Sequence, residues 1–130
     1  MQFIPYFFIL LTVILLAWQF YPLINIKLSK GKHIPSLNKF LSADQQKHPR
    51  ILLYFMSPQC GLCKSITPVV DELAMKRSDI IRFDLTQNMT VAEALGVRAT
   101  PAFVLIQDGV ISKVKLGALT EDKILEMIDQ

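Results

Sequence analysis

The chain contains two cysteines, Cys60 and Cys63, and two residues separate them. Two thiols at this spacing can cycle between a dithiol and a disulfide, with the thiolate as the reactive form. A structural disulfide across so short a loop would contribute little chain-entropy stabilisation. A zinc site would need two further ligands, and the only histidines, His33 and His48, lie at no recognised spacing. The pattern therefore favours a redox-active pair, with no bound metal, over a structural disulfide, a zinc site or two inert thiols.

The segments on either side of the pair predict how it is positioned. Residues 50–55, RILLYF, form a continuous apolar run that is typical of a central strand covered on both faces. After Cys63, apolar residues recur at helical spacing as far as Ala74. This order places Cys60 in the first turn of a helix, where free N–H groups and the helix dipole stabilise a thiolate. We expect Cys63, one turn further along, to be more buried and to attack a mixed disulfide formed at Cys60.

The rest of the chain predicts a mixed sheet with helices on both faces. A short helix capped by Thr90 and a C-terminal helix capped by Thr120 are expected. Three further strands are predicted, the last two joined by an Asp-Gly hairpin turn: residues 79–85, 101–107 and 110–116. Strands and helices in this order belong to the α/β class.

The first 26 residues carry no charged side chain. The apolar run within them, residues 3–24, matches the roughly 20 residues that a helix needs to cross a bilayer, and aromatic residues lie near both of its ends. A cleaved signal peptide is the alternative, but the positively charged N-terminal region and the A-x-A-like cleavage site of such a peptide are missing. A buried core helix is disfavoured because one small domain could not cover it on all sides. We expect residues 1–26 to be an uncleaved transmembrane anchor.

Residues 27–130 predict a connector and one soluble domain. The connector, residues 27–49, is polar, and Ser36 is expected to cap a short helix over residues 36–46. Residues 50–130 are expected to form the domain. The formal net charge of +3 comes from interspersed acidic and basic residues, so nucleic-acid binding is not indicated. The sequence contains no glycine-rich dinucleotide loop and no flavin motif, so no cofactor is expected.

A set of short motifs lies between about residue 50 and the C-terminus: CGLCK at 60–64, Pro68, DEL at 71–73, ATP at 99–101, the Asp-Gly hairpin and LGAL at 116–119. In these motifs and their spacing, the chain resembles thioredoxin. The resemblance implies a thioredoxin fold, a central mixed β-sheet flanked by helices, here with an N-terminal transmembrane helix. The anchor and the sequence FMSPQC are further similar to the membrane-tethered branch of the superfamily, which includes thiol–disulfide proteins of cytochrome c and amine dehydrogenase maturation.

The resemblance also implies roles by position. Cys60 matches the attacking cysteine and Cys63 the resolving cysteine. Pro101 matches a proline held in cis beside the pair, with Thr100 before it, and Gly117 matches a glycine that lines the peptide groove. The implied function is a membrane-anchored thiol–disulfide oxidoreductase that needs a disulfide-containing protein substrate and a separate thiol electron donor. The rival hypothesis is a non-catalytic thioredoxin-fold subunit that binds or assembles a membrane complex.

Four positions depart from the thioredoxin pattern. Tyr54 occupies the position of a buried acid that moves the proton of the resolving thiol, and Leu62 replaces a proline. Gln59 replaces the tryptophan just before the pair, and Met56 replaces another tryptophan near it. A phenol, with an ordinary pKa of about 10, is not a base at neutral pH, which leaves water or a group such as Glu72. The uncharged Gly61-Leu62 dipeptide favours reduction of substrates over their oxidation.

The expected location is a bacterial-type inner membrane, crossed once. The side on which the domain lies stays open at this point. Lysines follow the predicted span, beginning with Lys27, and the positive-inside rule places them in the cytoplasm. The tethered relatives instead favour the periplasmic side.

Overall fold

The computed structural model describes Met1, residues 3–28, Gly31 and residues 37–130, with residues 22–28 described as backbone alone. The predictions made for His33 and Ser36 lie outside these residues. The first element, α1 (Phe3–Leu28), is a continuous helix of 26 residues.

Within the described residues, α1 is the one helix long and apolar enough to cross a membrane. Its segment Phe3–Tyr21 has a mean hydropathy of 2.1, and none of it is buried against the rest of the protein. A signal sequence near the N-terminus also meets these criteria of length and hydropathy. The structure is therefore compatible with a single-pass anchor.

A four-stranded sheet with strand order β2-β1-β3-β4 forms the centre of the domain. Strand β1 pairs in parallel with β2 and antiparallel with β3, and β3 pairs antiparallel with β4. The predicted mixed sheet is thus confirmed. The strands are β1 (Arg50–Met56), β2 (Ile80–Asp84), β3 (Ala102–Gln107) and β4 (Val110–Leu116).

Both faces of the sheet are covered, because successive side chains of a strand point to opposite faces. Leu52 and Tyr54 of β1 pack on one face with residues of α2 (Gly61–Lys76) and α4 (Glu121–Asp129). Leu53 and Phe55 pack on the other face with residues of α3 (Met89–Ala94). This arrangement explains why residues 51–55 are buried without interruption.

The segment before β1 differs from its prediction. Two 3₁₀ turns, Leu37–Lys39 and Gln45–Lys47, replace the single helix expected over residues 36–46. The Ser42 backbone N–H donates to the Gln45 side-chain oxygen at 2.9 Å, and the Gln45 N–H donates to the Ser42 hydroxyl at 3.3 Å. This reciprocal pairing is a capping box, the hydrogen-bond pattern of a helix N-terminus. A new helical turn therefore begins at Ser42, and a continuous helix over residues 36–46 is interrupted there. Leu37 and Leu41 both join the core of the domain.

Two other local predictions can be compared with the backbone. Helix α3 begins at Met89 after Asn88, not after Thr90, because the Asn88 carbonyl already accepts the N–H of Ala92 at 3.0 Å. Thr120 precedes α4 as predicted, although its side chain makes no capping hydrogen bond. Helix starts are thus displaced by at most two residues here, and the strands that position the cysteines are unaffected.

Candidate active site

Cys60 is the N-cap residue of α2. Its backbone is extended, with φ −80° and ψ 113°, and its sulfur accepts a hydrogen bond from the Cys63 backbone N–H at 3.2 Å. The Cys60 side chain therefore satisfies one of the N–H groups that a helix leaves free at its start. An anion at this position is stabilised by the helix dipole as well.

The two cysteines differ in accessibility. They form a disulfide with their Cα atoms 5.2 Å apart. Cys60 is partly exposed, whereas Cys63 is 1% exposed. A partner can therefore reach the sulfur of Cys60, while the sulfur of Cys63 faces the interior.

A tight turn between β1 and α2 presents Cys60 at the end of the sheet. The Cys60 N–H donates to the Ser57 carbonyl at 3.1 Å, which closes a four-residue turn. Pro58 occupies the second position of this turn, where its fixed φ is favoured. Strand β1 is anchored just before the turn, because the Met56 carbonyl accepts the N–H of Leu85 at 2.8 Å. The turn residues are thus held by backbone hydrogen bonds on both sides.

The other predicted site residues lie at the same end of the sheet. Phe55 pairs with Ala102, so the residues preceding β3 lie beside the end of β1. The Thr100–Pro101 peptide bond is cis. The Pro101 carbonyl accepts a hydrogen bond from the Gly117 N–H at 2.9 Å, and Gly117 has a φ of +90°, a conformation that glycine adopts without strain. The structure therefore brings Thr100, Pro101 and Gly117 together beside the strand that leads to the cysteines.

A cavity of about 370 Å³, wide open to solvent, is lined in part by Cys63. Three residues of α2 that line it, Cys63, Thr67 and Asp71, are spaced four apart and so share one face of the helix. The Asp71 carboxylate is paired with the Arg82 guanidinium at 2.8 Å. The remaining lining residues are Met56, Ser57, Pro58, Lys64 and Pro68.

Tyr54, in the position of the family's buried acid, contacts this face of α2. Its side chain is fully buried, and its phenol oxygen lies 3.0 Å from the Thr67 hydroxyl. Burial raises the pKa of Tyr54 above its ordinary value of 10.0, and the hydrogen bond to Thr67 opposes this rise. The phenol therefore stays protonated at neutral pH. Sequence reasoning missed Thr67, although its position four residues after Cys63 was a signal that the two share a helix face.

The suggestion that Glu72 takes the proton of Cys63 is wrong. Glu72 is hydrogen-bonded to Lys76 at 2.7 Å on an exposed surface. It lies nine residues after Cys63, which at about 100° per residue places it on the opposite side of α2.

Within the described residues, no group of three His, Cys, Asp or Glu side chains lies close enough together to hold a metal ion. His48 instead lies 2.7 Å from the Ser78 hydroxyl.

Comparisons with known proteins identify the family. The family model described as thioredoxin matches residues 33–130. The chain belongs to the thioredoxin family. It is 36% identical over 83 residues to thioredoxin of Haemophilus influenzae, covering 62% of this chain and 78% of that protein. Membership of the thioredoxin family, together with the Cys60–Cys63 disulfide, makes the protein a thiol–disulfide oxidoreductase.

Solved thioredoxin structures agree with this assignment. Thioredoxin of Fasciola hepatica superposes with a TM-score of 0.60 at 33% identity, covering 72% of this chain and 88% of that one. The reduced thioredoxin pre-protein of Schistosoma mansoni gives a TM-score of 0.61 at 27% identity, covering 75% and 91%. The thioredoxin fold expected from the sequence is confirmed.

Proposed function

We propose that this protein is a membrane-anchored thiol–disulfide oxidoreductase that reduces disulfides in protein substrates through a dithiol/disulfide cycle of Cys60 and Cys63. The observation that carries the proposal is the position of the Cys60 sulfur. Residue Cys60 is partly exposed at the start of α2, and its sulfur accepts the Cys63 N–H at 3.2 Å, while Cys63 is buried. A helix N-terminus favours the thiolate, which is the nucleophile of thiol–disulfide exchange.

The cycle has two exchange steps. In the first, the Cys60 thiolate attacks one sulfur of the substrate disulfide, a mixed disulfide forms, and the other substrate sulfur leaves as a thiolate that takes up a proton. In the second, the Cys63 thiolate attacks the Cys60 sulfur, the Cys60–Cys63 disulfide forms, and the second substrate thiolate is released. Two electrons pass to the substrate. A separate thiol donor must then reduce the Cys60–Cys63 disulfide.

The substrate is proposed to bind beside Cys60 as an extended peptide. Thr100, Pro101 and Gly117 lie at the end of the sheet from which Cys60 is presented, which supports a groove there. An extended peptide gains affinity from backbone hydrogen bonds and specificity from its side chains. Leu62, between the cysteines, is 59% exposed and offers an apolar contact.

Insulin reduction tests the activity. The full chain in detergent micelles, supplied with dithiothreitol as donor, is expected to accelerate the cleavage of the insulin interchain disulfides. The Cys60→Ser variant should show the donor's background rate. Cys63→Ser, reduced and then freed of dithiothreitol before insulin is added, should accumulate a mixed disulfide whose partner mass spectrometry identifies. A non-catalytic assembly subunit predicts instead that wild type and Cys60→Ser give the same background rate.

The proposed anchor is tested by the chain's single tryptophan. Trp18 lies in α1, so its fluorescence in liposomes reports on this helix alone. We expect lipids with brominated acyl chains to quench it. A mature protein whose mass lacks residues 1–26 would instead identify a cleaved signal peptide.

The side of the bacterial-type inner membrane on which the domain lies can be read from Cys60. After mild reduction, a membrane-impermeant maleimide labels this partly exposed thiol in intact spheroplasts when the domain is periplasmic. When the domain is cytoplasmic, labelling requires lysis. Tethering on either side raises the local concentration of the dithiol near membrane-bound substrates.

A further inference from the structure

The charged and titratable groups around the Cys63 cavity come from three elements. Helix α2 contributes Lys64 and Asp71, strand β1 contributes Tyr54, and strand β2 contributes Arg82 and Asp84. The Asp71 carboxylate is engaged by Arg82 at 2.8 Å, and the Asp84 carboxylate accepts hydrogen bonds from the turn that follows β2. Both carboxylates are thus already hydrogen-bonded to other groups. These groups do not reproduce the buried acid of the family.

Thr67 lines the same cavity as Cys63 and shares its face of α2. It follows Cys63 by one turn, so the Cβ atoms of the two residues are about 5–6 Å apart. Its hydroxyl lies 3.0 Å from the phenol oxygen of Tyr54, whose ring is fully buried and packs against Phe103 with ring centroids 4.9 Å apart. A hydroxyl can accept one hydrogen bond while donating another. When Thr67 accepts from the rigid phenol, its own hydrogen can point into the cavity that Cys63 lines.

We infer that Thr67, oriented by Tyr54, donates a hydrogen bond to the Cys63 sulfur in the reduced protein and so stabilises the resolving thiolate, while the cavity beside it carries the thiol proton to solvent. The inference rests on the dithiol cycle proposed above. The Cys63 thiol gives its proton to cavity water, and Thr67 keeps its own. The electron pair on the Cys63 sulfur forms the new disulfide bond with Cys60, and the substrate sulfur leaves with the electrons of the broken bond and is protonated from solvent. Tyr54 is thus a positioning residue and not a base.

Pro68 favours water in this cavity. Proline has no N–H, so the Lys64 carbonyl lacks the donor that it would have in an uninterrupted helix. Lys64, Thr67 and Pro68 all line the cavity, so a water molecule there can donate to this carbonyl and exchange hydrogen bonds with the Thr67 hydroxyl. The cavity therefore has the chemistry to carry a proton between Cys63 and solvent.

The resolving step can be measured separately from the attacking step. The full chain in detergent is reduced, freed of reductant and mixed with an aromatic disulfide that releases a coloured thiolate. The first release reports attack by Cys60, and the second release reports displacement of the remaining aromatic thiol by Cys63. Each release can be assigned to one sulfur because the chain has two cysteines.

Thr67→Val is expected to slow the second release about tenfold near neutral pH, since a hydrogen bond to a charged group is worth about one pKa unit or more. Its pH profile should shift upward, and the first release should keep the wild-type rate. Thr67→Ser, which retains the hydroxyl, should restore the wild-type second release. Tyr54→Phe, which keeps the packing against Phe103, should slow the second release to a smaller extent. Ser65→Ala is the matched control, because the Ser65 hydroxyl bonds to the Leu62 carbonyl on the exposed side of α2.

A wild-type second release and pH profile in Thr67→Val would overturn the inference. A full effect of Tyr54→Phe with none from Thr67→Val would also overturn it, since the phenol would then be the donor. If Thr67→Val does not fold, an unchanged second release in Tyr54→Phe overturns the inference and a slowed, upshifted one supports it. Loss of the first release in the wild type would contradict the proposed dithiol cycle instead, which keeps the two failures distinguishable.

Discussion

Replacing Gly117 with alanine is expected to destabilise the domain, although the added methyl group meets no neighbour. A Cβ atom at Gly117 has no heavy atom within 4 Å, so crowding by other residues is excluded as a cause. The φ of +90° is the cause, because an L side chain in this region clashes with its own backbone. Gly61 gives a matched control: a Cβ there also meets nothing within 4 Å, and Gly61 is the first residue of a right-handed helix.

The difference between the two variants isolates the backbone strain. Alanine restricts the unfolded chain at either position, which stabilises the protein by about 0.4–1 kcal/mol when the native conformation suits it. This gain applies to both variants and cancels in their difference. Left-handed backbone costs an L residue about 1–2 kcal/mol. Gly61→Ala should therefore be slightly more stable than wild type, and Gly117→Ala should be less stable than Gly61→Ala by about 1–2 kcal/mol.

Hydrogen exchange in urea measures this difference on the oxidised full chain in detergent. Fluorescence of Trp18 is unsuitable because it reports on α1 and not on the domain. The amides of β1 are suitable because the core of this strand is buried throughout, so they exchange by global unfolding of the domain. Equal stability of the two variants, or a more stable Gly117→Ala, would refute the reasoning.

Three further predictions concern stability and are checked by the same measurement. Leu53→Ala, in the core, should lose about 2–5 kcal/mol, whereas Leu62→Ala, 59% exposed, should change stability by less than about 0.5 kcal/mol; equal losses would contradict the assigned burial. Arg77→Gln, which breaks ion pairs at 2.8 and 3.1 Å with two carboxylates, should lose about 1 kcal/mol, and Lys47→Gln, whose exposed pair is solvated, should lose nothing measurable. The hydrogen bond from Lys76 lowers the pKa of Glu72, so the folded form gains stability above the unfolded carboxyl pKa and loses it as pH falls through the folded pKa. Glu72→Gln should flatten that part of the stability–pH curve, and an unchanged curve would count against the pair.

Much of the fold could be predicted because the hydrophobic pattern and the turn chemistry agree along the strands. The apolar run of β1 required burial on both faces, and the sheet provides it. The Asp-Gly turn between β3 and β4 has positive φ at both Asp108 and Gly109, the conformation that this dipeptide favours in a hairpin. Signals of this kind lie within a few residues of each other, so they predict a strand or a turn without knowledge of residues distant in the chain.

The segment before β1 was harder to predict because two local signals compete there. Leu37, Phe40 and Leu41 follow helical spacing, but Ser42 and Gln45 form a capping box that starts a new turn. In the structure Leu37 and Leu41 are both buried in the core, and the segment forms two separate 3₁₀ turns instead of one helix. Tertiary packing of this kind is absent from a sequence pattern.

The surroundings of Cys63 likewise depend on how β1 and α2 pack against each other. The resemblance to thioredoxin implied that Tyr54 replaces an acid, but not that its hydroxyl lies 3.0 Å from the Thr67 hydroxyl. That contact requires β1 and α2 to be packed face to face, thirteen residues apart in the chain. Sequence reasoning overlooked that Cys63 and Thr67, four residues apart, share a face of α2, and only the structure shows that Tyr54 contacts this face.

The most direct test of the account compares the alkylation rates of the two sulfurs as a function of pH in the full chain, with Cys63→Ser reporting on Cys60 and Cys60→Ser on Cys63. The helix N-terminus and the accessibility of Cys60 predict fast alkylation with a midpoint well below the ordinary cysteine pKa of about 8.5, and slow alkylation of the buried Cys63. A midpoint at or above about 8.5 for Cys60, or faster alkylation of Cys63, would contradict the assignment of Cys60 as the nucleophile.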